Sequence, residues 1–369
     1  MTRTEGFGAT LTVDLDAVVA NWRRIGARVG NAAVAGVVKA DAYGLGLAQV
    51  GPALHRAGCR DFFVARLDEG RRLRAAMPAP DAVIHVLDGF KADAAEAFIA
   101  DNLRPVLNDL GQVEAYAALA KREGRKLAAA LHVDTGMNRL GLPTGDAETL
   151  AAEPARLAGL ELTLVMSHLV ASEEAANPIN SRQIAAFAKV RARFPGVRAS
   201  LANSSGVFLG PECHLDLVRP GVALYGGNPL PGQPNPMVQT IELTAEIVQV
   251  RSIDRGESVG YGATHIAASP ARIATVPVGY ADGYPRSLSR RGTALVHGVR
   301  VPVVGRVSMD LITLDVTALA PEVARPGTSV TLLGGALDVD TVGETAGTIS
   351  YEVLTRLGQR YRRVYKGGA

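Results

Sequence analysis

The chain has 369 residues, 47% hydrophobic and 20% charged, with a formal net charge of +3. That is length enough for two or three domains of about 150 residues each, and the composition excludes intrinsic disorder. The small charge, with no Lys/Arg block and no basic stripe interleaved with aromatics, argues against a nucleic-acid partner, and no apolar run approaches the roughly 18 residues of a membrane span.

In chain order, the first residues, MTRTEGFGATLTVDLDAV, carry no apolar stretch of signal-peptide length, so a cytoplasmic location is expected. An amphipathic segment follows at 15–29. Short apolar runs then alternate with longer helical patterns, the signature of repeated βα units on a parallel sheet. The expected strands are 33–39 (AVAGVVK), 61–65, 82–87, 103–107, 127–133 (LAAALHV), 161–166 (ELTLVM), 197–201 and 214–219 (HLDLVR), with helices at 50–57, 113–122 and 183–191 among them. Eight strands with crossover helices in about 200 residues meet the requirement of a closed (β/α)8 barrel of the TIM type. The run GGNPLPGQPNP at 226–236 reads as a domain boundary. Beyond it, segments such as TAEIVQVRSI and ARIATVPVGY alternate Val, Ile and Thr with polar residues. The expected fold is therefore α/β: a barrel over 1–235, then a mostly β domain over 236–369. Cys59 and Cys213 lie far apart and outside any CxxC spacing, which signals neither a disulfide framework nor a zinc ribbon.

In such a barrel the chemistry sits where the C-terminal strand ends converge. The first strand ends in Lys39, with Tyr43 shortly after; the fifth runs into DTGMNRLG, carrying Arg139; the sixth into SHL, carrying His168. After the seventh comes ANSSG, with Asn203 and Ser204, and the eighth delivers Arg219, Pro220 and Gly221. Singly, each has a bland reading: a solvated lysine, a structural ion pair, a helix cap. Independent surface accidents would not all fall on one rim. Loops after strands seven and eight form the usual phosphate site of these barrels, where backbone N–H groups and a serine hydroxyl hold a dianion. A desolvated lysine among cations becomes a nucleophilic amine able to condense with an aldehyde. Together these residues suit a phosphorylated cofactor bound through a lysine imine.

The ordered set GVVKADAYGLG, DTGMNRLG, MSHL, ANSSG and VRPGVALYG, continued by SVGYGAT, VGYADGYPR, VGRVSMD and ISYEVLTRLGQRYRRVY, resembles the alanine racemase family of fold-type III pyridoxal phosphate enzymes over nearly the whole chain. The resemblance implies that Lys39 carries pyridoxal 5′-phosphate and serves as the base on one face of the substrate, while Tyr261 from the second subunit of a homodimer serves the other. Two acid/base groups are needed because a single base returns the proton mainly where it found it. Both have ordinary pKa values of about 10, to be lowered by cationic neighbours. The resemblance further implies a hydrogen-bonded chain from Tyr261 through His168 to Arg219, with Arg219 also facing the pyridine nitrogen. Arg139 is expected on the ring hydroxyl and the substrate carboxylate, which the backbone N–H of the partner's Met309 also meets. Tyr43, Ser204, Gly221, Val222 and Tyr351 are expected to hold the phosphate, with Asn203 beside them, and Tyr280 to narrow the entrance. The implied activity is interconversion of L- and D-alanine for peptidoglycan precursors, with a racemase of broader or serine specificity as the nearest alternative.

One position departs from the family. Many members have a carbamylated lysine two residues before the Asp of DTGM, where it orients the arginine of that loop; here it is His132. A histidine cannot supply a carbamate, which leaves a bound anion or water to hold Arg139. No metal is expected: His85, His132, His168 and Asp216 fall on or near strands, but the first strand has VKAD in place of an HxH pair, and no HExxH occurs. A dinucleotide reading of GLGLAQ fails on its missing third glycine. A non-enzymatic pyridoxal phosphate carrier would account only for the first domain.

Overall fold

The structure, a computed structural model, describes residues 8–368. Strand β1 (Ala9–Asp14) leads into the expected amphipathic helix, Leu15–Val29, which buries Leu15, Val18, Ile25 and Val29. The Asp14 carboxylate caps it by accepting from the Ala17 N–H at 2.8 Å.

The barrel strands are β2 (Ala33–Val34), β3 (Gly36–Val37), β4 (Asp61–Val64), β5 (Val83–Val86), β6 (Leu103–Leu107), β7 (Leu127–His132), β8 (Leu160–Met166), β9 (Arg198–Ser200) and β10 (Leu217–Val218). From β3 to β9 they form one seven-stranded parallel sheet in sequence order. The first expected strand is broken at Ala35 and serves two seams: β3 pairs with β4, and β2 pairs with β10. Backbone bonds from Asp216 to Ala199 (3.1 Å) and from Arg219 to Ala202 (2.9 Å) carry the ring on from β9 to β10. The ring is thereby closed, and its strands read as near-continuous apolar runs because helices cover them outside. The first and last strands are shorter than expected. Lys39 already belongs to a turn, and Pro211 opens a 3-10 turn through Cys213 just before the eighth strand. The helices run longer than their apolar patterns, over Leu47–Arg56, Leu110–Glu123 and Pro178–Arg191.

The second half is mostly β, as expected. Its strands are β11 (Ile241–Glu246), β12 (Gln249–Ile253), β13 (Ser258–Val259), β14 (His265–Ile266), β15 (Ala271–Val276), β16 (Thr293–Val296), β17 (Val299–Val304), β18 (Ile312–Asp315), β19 (Ser329–Leu333) and β20 (Arg362–Lys366). The main sheet runs β12-β15-β18-β17-β16-β19-β11-β1-β20. Strand β1, at the opposite end of the chain, lies in it between β11 (antiparallel) and β20 (parallel). No sequence expectation covered that strand, because six residues with one polar face carry no partner information.

At the N-terminal end of the ring, buried Asp61 receives the Arg198 guanidinium at 3.0 Å and lies 3.2 Å from His85 Nε2. His85 stacks on Phe63 with ring centroids 4.5 Å apart. Burial pushes the Asp61 pKa up, but the bonds and charges of His85 and Arg198 outweigh it and hold the carboxyl at about 2. A depressed folded-state pKa stabilises the fold above the unfolded-state value of about 3.9, and that stabilisation is lost as pH falls through the folded-state value. Asp61→Asn is expected to cost about 2 kcal/mol at neutral pH, because it removes the negative charge and replaces one of the two acceptor oxygens facing His85 and Arg198 with an NH2 donor. In urea titrations the gap between wild type and variant should close between pH 4 and pH 2.

Candidate active site

Lys39 stands just beyond β3. Val38 donates its N–H to the Phe63 carbonyl at 2.9 Å, the last ladder bond before the chain leaves the strand. It then makes one turn of left-handed helix: Ala40, Asp41, Ala42 and Tyr43 have φ between 52° and 54°, with no glycine until Gly44. L-residues pay about 1–2 kcal/mol each for this conformation, so the surroundings must hold it. The Glu69 carboxylate accepts from Ala40 N at 2.6 Å and Ala65 N at 2.7 Å, joining the loops after the first two strands. The Asp41 carboxylate accepts from Leu47 N at 3.1 Å and from Arg72 at 2.8 Å. The outcome is that Lys39 and Tyr43 both enter one cavity, where Tyr43 stacks on Tyr225 at 4.7 Å.

Arg139 sits on a loop clasped at its base. Leu142 N donates to His132 O at 2.9 Å, and Asp134 N to Leu142 O at 2.8 Å. The Asp134 carboxylate accepts from Gly136 N and Met137 N, both at 2.8 Å. Gln183, fully buried, takes the Val170 N–H and donates to the His168 carbonyl, each at 2.9 Å, fixing the loop after β8. The Arg219 guanidinium donates to Ser200 Oγ and, at 2.5 Å, to the Ser167 carbonyl, rather than to the His168 imidazole that the resemblance placed next in the chain. Ser204 Oγ accepts from Gly221 N at 2.9 Å and Ala223 N at 3.3 Å.

These pieces enclose a cavity of about 470 Å³ at the C-terminal mouth of the ring. It is lined by Lys39, Tyr43, Arg139, His168, Asn203, Ser204, Arg219, Gly221, Val222 and Tyr351, and by His132. Tyr261, Tyr280 and Met309 do not reach it. They stand on loops of the second half at 72%, 43% and 54% exposure. Those loops are tied together: Tyr280 N donates to Ser308 O at 3.1 Å and Ala281 N to Met309 O at 3.0 Å, while β13 and β14 frame Tyr261.

Charge sets the protonation of the mouth. Burial lowers the Lys39 pKa, Arg139 and Arg219 lower it further, and Glu69 opposes them. His168 is held well below its ordinary value by burial and then by Arg219, Arg139 and Lys39, so its imidazole is neutral. Burial brings Arg219 down to about 9, which leaves it charged at neutral pH. His132 falls to about 4 through burial and the two guanidiniums, against the pull of Asp134. Burial raises both Tyr43 and Tyr351, the latter to about 12. No group of three or more His, Cys, Asp or Glu able to hold a metal occurs among the described residues. Glu69 and Asn108 belong to this site and were not foreseen. Glu69 was legible as the acidic residue three positions after the helix cap Arg66, and Asn108 as the polar residue at the end of β6.

A closed βα ring that presents a half-buried lysine beside arginines, opposite a serine-and-backbone cradle after its last two strands, defines a barrel enzyme working through an amine nucleophile next to an anion site. Known proteins place it more narrowly. The model of the alanine racemase N-terminal domain matches residues 13–229, and that of the alanine racemase C-terminal domain matches residues 240–365. Alanine racemases of Methylobacterium sp. (strain 4-46) and Rhodospirillum rubrum are 52% and 54% identical, over 99% and 97% of this chain and 100% and 96% of theirs. The crystal structure of alanine racemase from Bartonella henselae with covalently bound pyridoxal phosphate superimposes with a TM-score of 0.92 at 39% identity, covering 97% of this chain and 99% of that one. The chain belongs to the alanine racemase family and is an isomerase.

The left-handed turn yields a stability prediction. Ala40 is exposed, so Ala40→Gly removes little contact while relieving a positive φ. It should stabilise the fold by about 0.5–1 kcal/mol in denaturant titrations.

Proposed function

We propose that the protein interconverts L- and D-alanine with pyridoxal 5′-phosphate held on Lys39, working in the cytoplasm and supplying D-alanine for peptidoglycan. The observation that carries this reading is Lys39 itself: an amine depressed by burial and by two arginines, in the mouth of a closed ring and facing the cradle of Ser204 and Gly221. The residues present fit the cofactor. A Cβ at Gly221 would lie 2.2 Å from Tyr43 Oη, so only the bare backbone lets that hydroxyl, Ser204 Oγ and the nearby N–H groups converge on a dianion. Bound there, the cofactor supplies an electron sink that makes the α-proton of an amino acid removable.

The chain's own groups do the rest. Tyr43, Ser204, Gly221, Val222 and Tyr351, with Asn203 alongside, hold the phosphate. Lys39, as the neutral amine, takes or returns the α-proton on one face of the substrate. Arg219, a donor with no lone pair, faces the ring nitrogen and leaves it unprotonated. Its bonds to Ser200 and the Ser167 carbonyl orient the guanidinium, which supports that role. Arg139 receives the substrate carboxylate, and neutral His168 sits between the cations as a partner for the second acid/base group.

That second group is Tyr261 of a second copy, in a homodimer with shared active sites. On this reading the barrel, expected over 1–235 but without β1, binds the cofactor, and the β domain (236–369), whose sheet takes in β1, completes the partner's mouth. Tyr261, Tyr280, Met309, Leu311 and Ile349 are large side chains left exposed on the second half, as residues destined for an interface are. Tyr280 narrows the entrance, and the Met309 N–H joins Arg139 on the carboxylate.

Incubation with L-alanine in heavy water should place deuterium on Cα and yield the D-isomer together; exchange without inversion would contradict two bases. Parallel runs with serine separate alanine specificity from a broader one, since a methyl and a hydroxymethyl are discriminated only modestly. Lys39→Ala and Tyr261→Phe should each be nearly inactive alone. Mixed and allowed to exchange, a two-fold dimer with shared sites regains about a quarter of wild-type activity, because half the dimers are hybrids with one intact site. No recovery on mixing would refute the trans assignment.

A further inference from the structure

His132 lines the cavity together with Arg139, and its environment fixes which of its nitrogens bears the proton. The Asn108 amide nitrogen donates to the carbonyls of Leu87 at 3.0 Å and Val106 at 2.8 Å. Carbonyls only accept, so the atom facing them is the NH2 group and the orientation of the amide is settled. Its oxygen therefore faces His132 Nδ1, at 2.8 Å. An amide oxygen only accepts as well, so Nδ1 carries the hydrogen. In the neutral ring Nε2 then presents a lone pair, and no chain group donates to it among the described residues.

The complement of that lone pair lies in the same cavity. The Arg139 guanidinium has no hydrogen bond or ion pair among the described residues. Its loop is seated on the ring: a Cβ at Gly141, two residues on, would stand 3.2 Å from His132 Cδ2, the carbon bonded to Nε2. The charged and titratable groups around the imidazole are Arg219, Arg139, Asp134 and His168. Two of these are guanidiniums, and with burial they keep the ring neutral. A lone pair turned toward the cavity repels an anion and accepts an N–H or O–H, which disfavours the anion among the occupants that the sequence left open.

We propose that His132 is the positioning residue for Arg139: locked by Asn108 as the Nδ1–H tautomer, it offers Nε2 as the acceptor that anchors the guanidinium while this meets the substrate carboxylate, with no anion bound between them. This rests on the assignment of Arg139 to the carboxylate. A carboxylate that does not react is bound alike in ground and transition states, so a displaced Arg139 raises KM more than it lowers kcat.

The test uses the cofactor-loaded enzyme. His132→Phe should raise KM for L-alanine about tenfold with kcat changed about threefold or less, the loss of one charge-assisted bond. His132→Gln, whose Oε1 accepts, should restore most of the difference, whereas a packing role for the ring would not be rescued by an amide. Crystals of the wild-type enzyme soaked in bromide should show no anomalous peak between Nε2 and the guanidinium, and a hydrogen bond in its place. A bromide peak there, or a His132→Phe enzyme with wild-type KM, overturns the proposal. The bromide map decides by itself if His132→Phe fails to fold. Arg139→Ala separates the two readings: an unchanged KM there refutes the carboxylate assignment, while a raised KM there with an unaffected His132→Phe refutes the present one alone.

Discussion

The mouth of the ring holds more positive charge than the protein neutralises. Lys39, Arg139 and Arg219 share one cavity with a single lining carboxylate, Asp88, which pairs with Lys91, and the carboxylate that acts on Lys39, that of Glu69, commits its oxygens to the backbone of Ala40, Ala65 and Arg66. In a medium of low dielectric such an excess is costly, and the structure relieves it in distinct ways. Lys39 gives up its proton more readily, His168 and His132 stay neutral, and Arg219 is bonded to a hydroxyl and a carbonyl that orient it without cancelling its charge. What remains is a positive potential complementary to a phosphate and a carboxylate. The same potential adds to the burial that makes the lysine nucleophilic, so the binding of an anion and the activation of an amine share a physical cause.

Most of this could be read from strand ends. A parallel barrel converts linear order into a ring of adjacent positions, so residues far apart in sequence, Lys39, Arg139, His168 and Arg219, were expected at one mouth and are found there. What escaped reading has identifiable causes. The left-handed turn at Ala40–Tyr43 carries no glycine, the usual mark of positive φ, because tertiary hydrogen bonds rather than local preference impose it. The bond expected between Arg219 and His168 is replaced by bonds to Ser200 and the Ser167 carbonyl, which only the neighbouring strands provide. The bearing of His132 on Arg139 depends on an asparagine 24 positions away and on the way its amide faces, neither of which has a local signature.

The two halves divide the work by rigidity. In the ring, the loops of the mouth are tied by part-buried hydrogen bonds, with Gln183 and Glu69 each linking two segments of the rim. In the second half, backbone bonds between the Tyr280 and Met309 loops hold neighbouring exposed side chains in fixed relation. Preorganised surfaces lose little conformational freedom on association.

The place of β1 bears on how the chain reaches this state. It is synthesised before both of its neighbours in the sheet, which begin at Ile241 and Arg362, so its hydrogen-bonding edges stay open until those strands have been made. The ring can gather on the ribosome; the second sheet cannot close until its last strand emerges. During that interval a short, half-apolar ribbon is available to pair with other nascent chains, and it is the docking of β20 that ends the exposure.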